Sequence, residues 1–428
     1  MKKNHRTNRT NRTNKSNKNH KTLQNHNKTH KRHQNKVHKN KTKTKTKTKT
    51  HIIKNKTPKW LSDLAQGEKL VTSNKKIMSS YSPTINQELV TLQSGLSRLK
   101  IGDCNDYKAF KMEEPLKILV KNKVLFGKKC SPYYTDEAKE MLLANLAANK
   151  HVDPSKIIPP KQILGNCWFN AMFVMFFISD KGRKFFQFFR QLMIEGRQQN
   201  GKQIPLHLRN AFALLNFAVD SALTGSKNAV EMDTNNIIRQ IYDAIPSSYN
   251  KQANYIPYVD EAGNPIKYYG SIINFLGNSS IQMLVLNDFT PVASWEDRIT
   301  REINNRMHKH LPHIIVVEIF DGPRETAGEA GKIKNRPLSL RVKGAEYILD
   351  SAVVRDIEQQ HFCAMITCEG KQMAFDGYSY HRLTESPWKD KINSSDKWEF
   401  EGTKNYDGTP LKWSFLHSYQ MLMYYRVH

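Results

Sequence analysis

The run from Cys167 to Ile178 reads Cys-Trp-Phe-Asn-Ala-Met-Phe-Val-Met-Phe-Phe-Ile and is apolar on every side of a helix, broken only by Asn170. A helix without a polar face has to be surrounded by protein, so this segment predicts a helix buried in a large core. At about a dozen residues it is well short of the roughly 20 that cross a bilayer, and no membrane insertion is expected. The chain has the length such a core requires: 428 residues are enough for one large domain or two ordinary ones.

Charge is distributed unevenly along the chain. The 67 Lys and Arg outnumber the 39 Asp and Glu, for a net charge of +28, yet 21 of the basic residues and no acidic one lie in residues 1–60. The remainder of the chain is close to balanced. Residues 1–56 are of low complexity: Arg-Thr-Asn repeats from Arg6, an Asn/His/Lys mixture, and five Lys-Thr pairs ending at Thr50. With little apolar surface to offset chain entropy, and with like charges repelling, this tail is expected to be disordered. Its cations suit salt-sensitive, sequence-blind binding of nucleic acid or another polyanion, or nuclear targeting; the alternative is a solvated tail that binds nothing. No apolar core follows its charges, so it is not expected to be a secretory signal. Five Cys, none in a Cys-x-x-Cys pair, argue against a disulfide framework and a structural zinc cluster. They fit a reducing, intracellular setting, cytoplasmic or nuclear.

Beyond the tail, residues 57–157 read as a mixed α/β extension. Leu116 to Phe126 suggests one or two short strands, and Thr135-Asp-Glu opens a helix with acids at its positive end and Met141, Leu142 and Leu146 on one face. Val152 to Pro160, with three prolines, is a linker. From residue 158 to 428 a single domain is expected. Helical spacing covers Cys167 to Phe177, Phe185 to Leu192 and Leu206 to Leu223. Strand patterns follow at Ile281–Leu286, Ile314–Phe320, Tyr347–Val354, Phe362–Thr367, Met373–Phe375 and Tyr419–Tyr425. Helices first and strands later indicate an α+β architecture with two lobes.

The residues preceding the buried helix are Gln162-Ile-Leu-Gly-Asn-Cys167. Gly165 permits a tight turn and Asn166 is suited to cap, which puts Cys167 at a helix N-terminus, where unpaired N–H groups favour the nucleophilic thiolate. Gln162 could donate its amide to an oxyanion together with the Cys167 N–H. The competing reading is a buried core cysteine. A nucleophile needs a base and a group to orient it. His361 opens one apolar strand and Asp376 closes the next; a turn at Glu369-Gly370 would set the two side by side, the imidazole taking the thiol proton and the carboxylate fixing its tautomer. Read singly, Asp376-Gly377 is a turn and His361 a surface residue. His381 is a rival base. His308, His310 and His313 have metal-like spacing but lack acidic or thiol partners and read better as a strand entry, so neither metal nor cofactor is expected. Cys363 and Cys368 read as packing residues, and Trp168 and Phe169 as anchors of the nucleophile's helix.

These residues together resemble the ubiquitin-specific protease family. Gly165-Asn-Cys167-Trp-Phe-Asn170-Ala is similar to the family's Gly-Asn-Thr-Cys-Tyr-Met-Asn-Ser box without its Thr. Leu311-Pro-His-Ile-Ile-Val-Val-Glu-Ile-Phe320, Tyr347-Ile-Leu-Asp-Ser-Ala-Val-Val354, His361-Phe-Cys-Ala, Phe375-Asp376 and Tyr419 to Arg426 resemble the later boxes, in the family's order, over residues 158–428. The resemblance implies a papain-like cysteine peptidase fold with a helical thumb-like lobe and a β-sheet palm-like lobe. It implies Cys167 as nucleophile, His361 as base, Asp376 as orienting acid, Gln162 as oxyanion donor and Asn166 in support. The implied activity is cleavage after the C-terminal glycine of ubiquitin or a ubiquitin-like modifier. The chain departs from the family in three ways: Gln359-Gln360 stands where Gly-Gly often precedes the histidine, Gly377 replaces a second Asp, and the zinc-binding cysteine pairs are absent. Together with the basic tail, these departures leave two alternatives. One is a viral-type cysteine protease that matures structural proteins and is packaged in the virion; the other is an inactive domain whose basic tail binds nucleic acid.

Overall fold

The fold is that of a computed structural model, which describes Cys104 to Val427 apart from residues 105–106, 122–126, 149–150, 164, 227–228, 230–233, 250–264, 278–281, 288–293, 308–310, 320–332, 334, 359–360, 379–381 and 406. The expectations for the basic tail, for residues 57–103 and 122–126, and for His308, His310, Gln359, Gln360 and His381 lie outside the described residues. A short helix α1 (Tyr107–Phe110) precedes an antiparallel ribbon of β1 (Lys117–Lys121) and β2 (Lys128–Pro132). Then come helices α2 (Asp136–Ala148), α3 (Cys167–Phe177), α4 (Asp180–Glu195), α5 (Leu206–Thr224), α6 (Thr234–Ala244) and α7 (Pro265–Gly277). The remaining elements are β3 (Met283–Leu286), α8 (Trp295–Arg306), β4 (Ile314–Ile319), β5 (Ser339–Val342), β6 (Ala345–Arg355), β7 (Phe362–Cys368), β8 (Lys371–Phe375), β9 (Thr384–Glu385), α9 (Trp388–Lys391) and β10 (Gln420–Arg426).

Eight of these strands form one sheet in the order β3-β4-β10-β6-β7-β8-β9, with β5 also paired to β6. Its pairs are antiparallel except β3 with β4. Because successive side chains point to opposite faces, each strand feeds two cores. Ile314, Val316, Val353, Ala364, Ile366, Met421 and Met423 join the core under the helices. Ile315, Val317, Val354, Met365, Leu422 and Tyr424 join a second core with Trp295, Trp388, Trp413 and Phe415. Burial of both faces explains why these strands read as nearly continuous apolar runs.

All eleven residues of α3 are buried. Phe169 stacks on Tyr269 of α7 with ring centroids 5.4 Å apart, and Phe176 packs on Phe186 of α4 at 4.6 Å. Only Ile178 and Ser179 separate α3 from α4. Gly182 is required by that tight passage, since a Cβ there would lie 2.3 Å from the Met175 carbonyl oxygen. The cysteine count argued against a disulfide framework; the structure corrects this for one pair, as Cys104 and Cys130 are bonded across a sequence separation of 26. Counting cysteines says nothing about which two the fold brings together. Among the described residues no helix is long and apolar enough to cross a membrane, and no group of three or more His, Cys, Asp or Glu is placed to hold a metal.

A buried charge network ties the helices to the sheet. β7 and β8 are joined by Glu369-Gly370, with φ of 49° and 73°, the conformation of a two-residue type I′ hairpin turn. Glu369 accepts that left-handed geometry because both ends of it are held. Its N–H donates to Asp180 Oδ1 (2.7 Å), while its carboxylate takes Arg183 Nη2 (2.6 Å), the Val152 N–H (3.1 Å) and His151 Nδ1 (3.0 Å). Gly370 N donates to Asp180 Oδ2 at 3.1 Å. Burial and the charge of Asp350 push the Asp180 carboxyl up to about 8, against the pull of these backbone donors. Arg183→Met should leave the Glu369 carboxylate buried without its guanidinium and destabilise the fold by about 3–5 kcal/mol in denaturant unfolding. A loss within the scatter of surface substitutions would show that the network contributes little.

Candidate active site

The chain enters α3 through a turn at Gly165-Asn166. Asn166 precedes the first helical residue, but its side chain makes no capping bond, contrary to the expectation. Its amide is used in tertiary contacts instead. Nδ2 donates to Thr234 Oγ1 of α6 (2.8 Å), and Oδ1 accepts from Ile163 N (3.1 Å) and Asn170 Nδ2 (3.3 Å). Thr234 Oγ1 in turn donates to Asn170 Oδ1 (3.1 Å), Asn170 Nδ2 reaches the Lys161 carbonyl (3.3 Å), and Asn235 Nδ2 reaches that of Ile163 (3.1 Å). The backbone at Lys161 and Ile163 is thereby fastened to α3 and α6. Asn170, which the sequence shows only as a break in an apolar run, is part of this clamp.

Cys167 is the first residue of α3 and is 8% exposed. Its backbone N–H falls in the first turn, where donors have no intrahelical acceptor and the helix end is positive. Across from it stands His361, immediately before β7, with Asp376 immediately after β8. The hairpin register, Ala364 opposite Phe375 and Cys368 opposite Lys371, puts both at the open end, away from the Glu369-Gly370 turn. His361 Nε2 is hydrogen-bonded to Asp376 Oδ1, and the Cys167 thiol is near enough to His361 to favour its charged form. With Nε2 engaged by the carboxylate, Nδ1 is the nitrogen left for sulfur. Burial works to lower the basicity of the imidazole, but the bond to Asp376 and the nearby Cys167 prevail and push its pKa up to about 10.

Further groups hold this constellation. Asp356 Oδ1 accepts the His361 N–H, and the Asp356 N–H donates to the His361 carbonyl at 2.9 Å, fixing the base's backbone. The Tyr378 ring stacks on the imidazole at 4.8 Å, and the Trp413 ring meets it edge-on at 6.1 Å. Thr403 Oγ1 donates to Asp376 Oδ2. Gln162 is buried and its N–H donates to the Gly377 carbonyl at 3.3 Å, which joins the segment before Cys167 to the segment after Asp376. A Cβ on Gly377 would lie 3.0 Å from Gln162 Cβ and 3.3 Å from its Oε1, so this approach accounts for glycine at 377.

All five residues singled out in the sequence, Cys167, His361, Asp376, Gln162 and Asn166, thus fall in one connected region. Asp356, Thr234, Tyr378, Thr403 and Trp413 were not singled out. Among the described residues, Cys363, Cys368 and His313 are suppressed by burial. Cys363 and Cys368 are fully buried in β7, and burial holds both thiols protonated. His313 sits just before β4, its Nδ1 accepting from Gln282 N at 3.2 Å, and burial pushes its pKa down to about 3, so it is neutral.

No family model matches the sequence, and no curated protein matches it. Solved structures do show similarity. The SAGA DUB module containing Ubp8, bound to ubiquitin aldehyde, matches at 9% identity over 86% of this chain and 98% of that chain, with a TM-score of 0.39. The same module bound to monoubiquitin gives 9% identity, the same coverage and a TM-score of 0.38. An essential yeast splicing factor gives 12% identity over 73% of this chain and 83% of its own, with a TM-score of 0.34. Scores and identities this low carry no argument about fold or activity.

The His361 pKa is raised above its ordinary 6.5, so the pair stabilises the fold fully below that pH, and the contribution is lost as pH rises toward about 10. Asp376→Asn should bring the His361 titration, followed by NMR of selectively labelled imidazole, down toward the ordinary value and flatten this alkaline loss. A His361 titration that is the same in both proteins would refute the pairing.

Proposed function

We propose that this chain is a thiol peptidase of the ubiquitin-specific type, with a papain-like division between a nucleophile-bearing helical lobe and a base-bearing sheet lobe. The observation that carries the reading is the His361–Asp376 hydrogen bond beside Cys167, which opens a buried helix and favours the charged imidazole. The substrate class is supported by the six sequence boxes found in the family's order.

In this mechanism His361 takes the Cys167 proton at Nδ1 while Asp376 holds the Nε2 proton, so thiolate and imidazolium face each other. The thiolate attacks the carbonyl carbon after the modifier's last glycine. The Cys167 N–H, with the Gln162 side-chain amide, stabilises the oxyanion; the backbone fastened at Lys161 and Ile163 keeps these donors from having to reorganise. His361 then gives its proton to the leaving lysine amine, and the thioester left on Cys167 is hydrolysed by water that His361 activates.

Ubiquitin carrying a C-terminal propargylamide should attach once to the wild type and not at all to Cys167→Ala. Asp376→Asn should lower kcat/KM on a ubiquitin conjugate by about 10²- to 10⁴-fold. Labelling that persists in Cys167→Ala would remove Cys167 as the nucleophile. A wild type inert to the probe, with Cys167 still reactive to a small alkylating agent, would leave the chemistry and remove ubiquitin as its substrate.

A further inference from the structure

The Asp376 carboxylate is anchored at both oxygens, and the second anchor comes from a part of the chain outside every motif of the site. Oδ1 faces His361 Nε2 and Oδ2 accepts from Thr403 Oγ1. A carboxylate tied at one oxygen can still rotate about its last bond, which would move the acceptor out of the imidazole plane; two ties at different oxygens fix its plane. Thr403 is 1% exposed and Asp376 fully buried, so water does not compete for the bond. Accepting two donors also suits the ionised carboxylate that an imidazolium requires.

Thr403 belongs to an excursion between α9 and β10 that is built as a support. Isolated bridges pair Trp398 with Trp413 and Lys404 with Pro410. The Thr403 N–H donates to the Phe400 carbonyl and its own carbonyl accepts from Leu411 N, each at 3.2 Å. From the same excursion the Trp413 ring meets the His361 imidazole, and Phe400 packs on Trp413 at 4.9 Å. One excursion therefore touches both the acid and the base.

We propose that Thr403 is a positioning residue which, through Asp376, holds the His361 imidazole in line with Cys167; the claim rests on the thiol-peptidase reading for its bearing on turnover. Losing this donor removes a bond that favours the charged carboxylate, so the carboxylate is protonated at higher pH and the imidazolium loses its partner earlier on acidification.

The test is the rate of Cys167 alkylation by iodoacetamide as a function of pH, measured on the full chain beside kcat and KM on a ubiquitin conjugate. Thr403→Val keeps the shape and removes the hydroxyl; its acidic alkylation limb should move up by about one pH unit. Its kcat should fall about 10- to 100-fold with KM unchanged. Thr403→Ser, which restores the donor, should follow the wild type in both. If the valine variant does not fold, Thr403→Ala takes its place with the same expected shift. An alkylation profile unchanged in the hydroxyl-free variant, or a serine variant as impaired as the valine one, would overturn the proposal. The shifted profile in a protein that no ubiquitin probe labels would instead uphold Thr403 and reject the substrate reading.

Discussion

Arg183 reaches from the first turn of α4 to Glu369 at the tip of the β7–β8 hairpin, tying the helical side of the candidate site to its sheet side. On the helical side, Gly182 lets α4 follow α3 almost without a connection, so whatever fixes α4 also fixes Cys167. On the sheet side, the hairpin is a short lever with its turn at one end and His361 and Asp376 at the other. A charge buried at the turn is costly unless it is fully bonded. Glu369 is bonded from four directions, and the bonding at one end of the lever settles the angle at which its other end meets the nucleophile.

The site itself shows a similar division of labour. In the proposed mechanism protons pass along a single line, Cys167 to His361 to Asp376, and further groups hold that line in place. Asp356 holds the backbone of the base, aromatic rings cover its faces, and Thr403 closes the end of the line. Behind the nucleophile the clamp of Asn166, Asn170 and Thr234 is made of neutral amides and a hydroxyl, so it can hold the entering backbone without perturbing the sulfur electrostatically.

Legibility in the sequence followed the range of the interaction. Cys167 was visible because a Gly-Asn turn before an entirely apolar run is a local pattern with a local consequence, a buried helix start. His361 and Asp376 were visible because Glu369-Gly370 falls between two apolar runs of strand length and sets their register. Thr403, Asp356 and Thr234 were not visible: each acts through side-chain bonds that leave no periodicity behind, Thr403 and Thr234 to distant segments and Asp356 to the His361 backbone five residues on. Asn166 was misread for the same reason, since a local cap expected from its neighbours lost to a tertiary partner on α6. The strand β2, Lys-Lys-Cys-Ser-Pro, is mostly exposed and has no alternation to read, whereas α6, with Ile237, Ile238 and Ile241 buried, carried a helical signal that was passed over.

The place of β10 has a consequence for how the molecule is made. It follows every other strand among the described residues yet lies between β4 and β6, bonded along both edges, with all seven of its residues buried. A nascent polypeptide that has not yet released residues 420–426 therefore presents two unsatisfied strand edges and an apolar slot between them, the kind of surface that recruits chaperones or sticks to its neighbours. The same order keeps the sheet incomplete until residues 420–426 emerge, well after Cys167, His361 and Asp376 have been made.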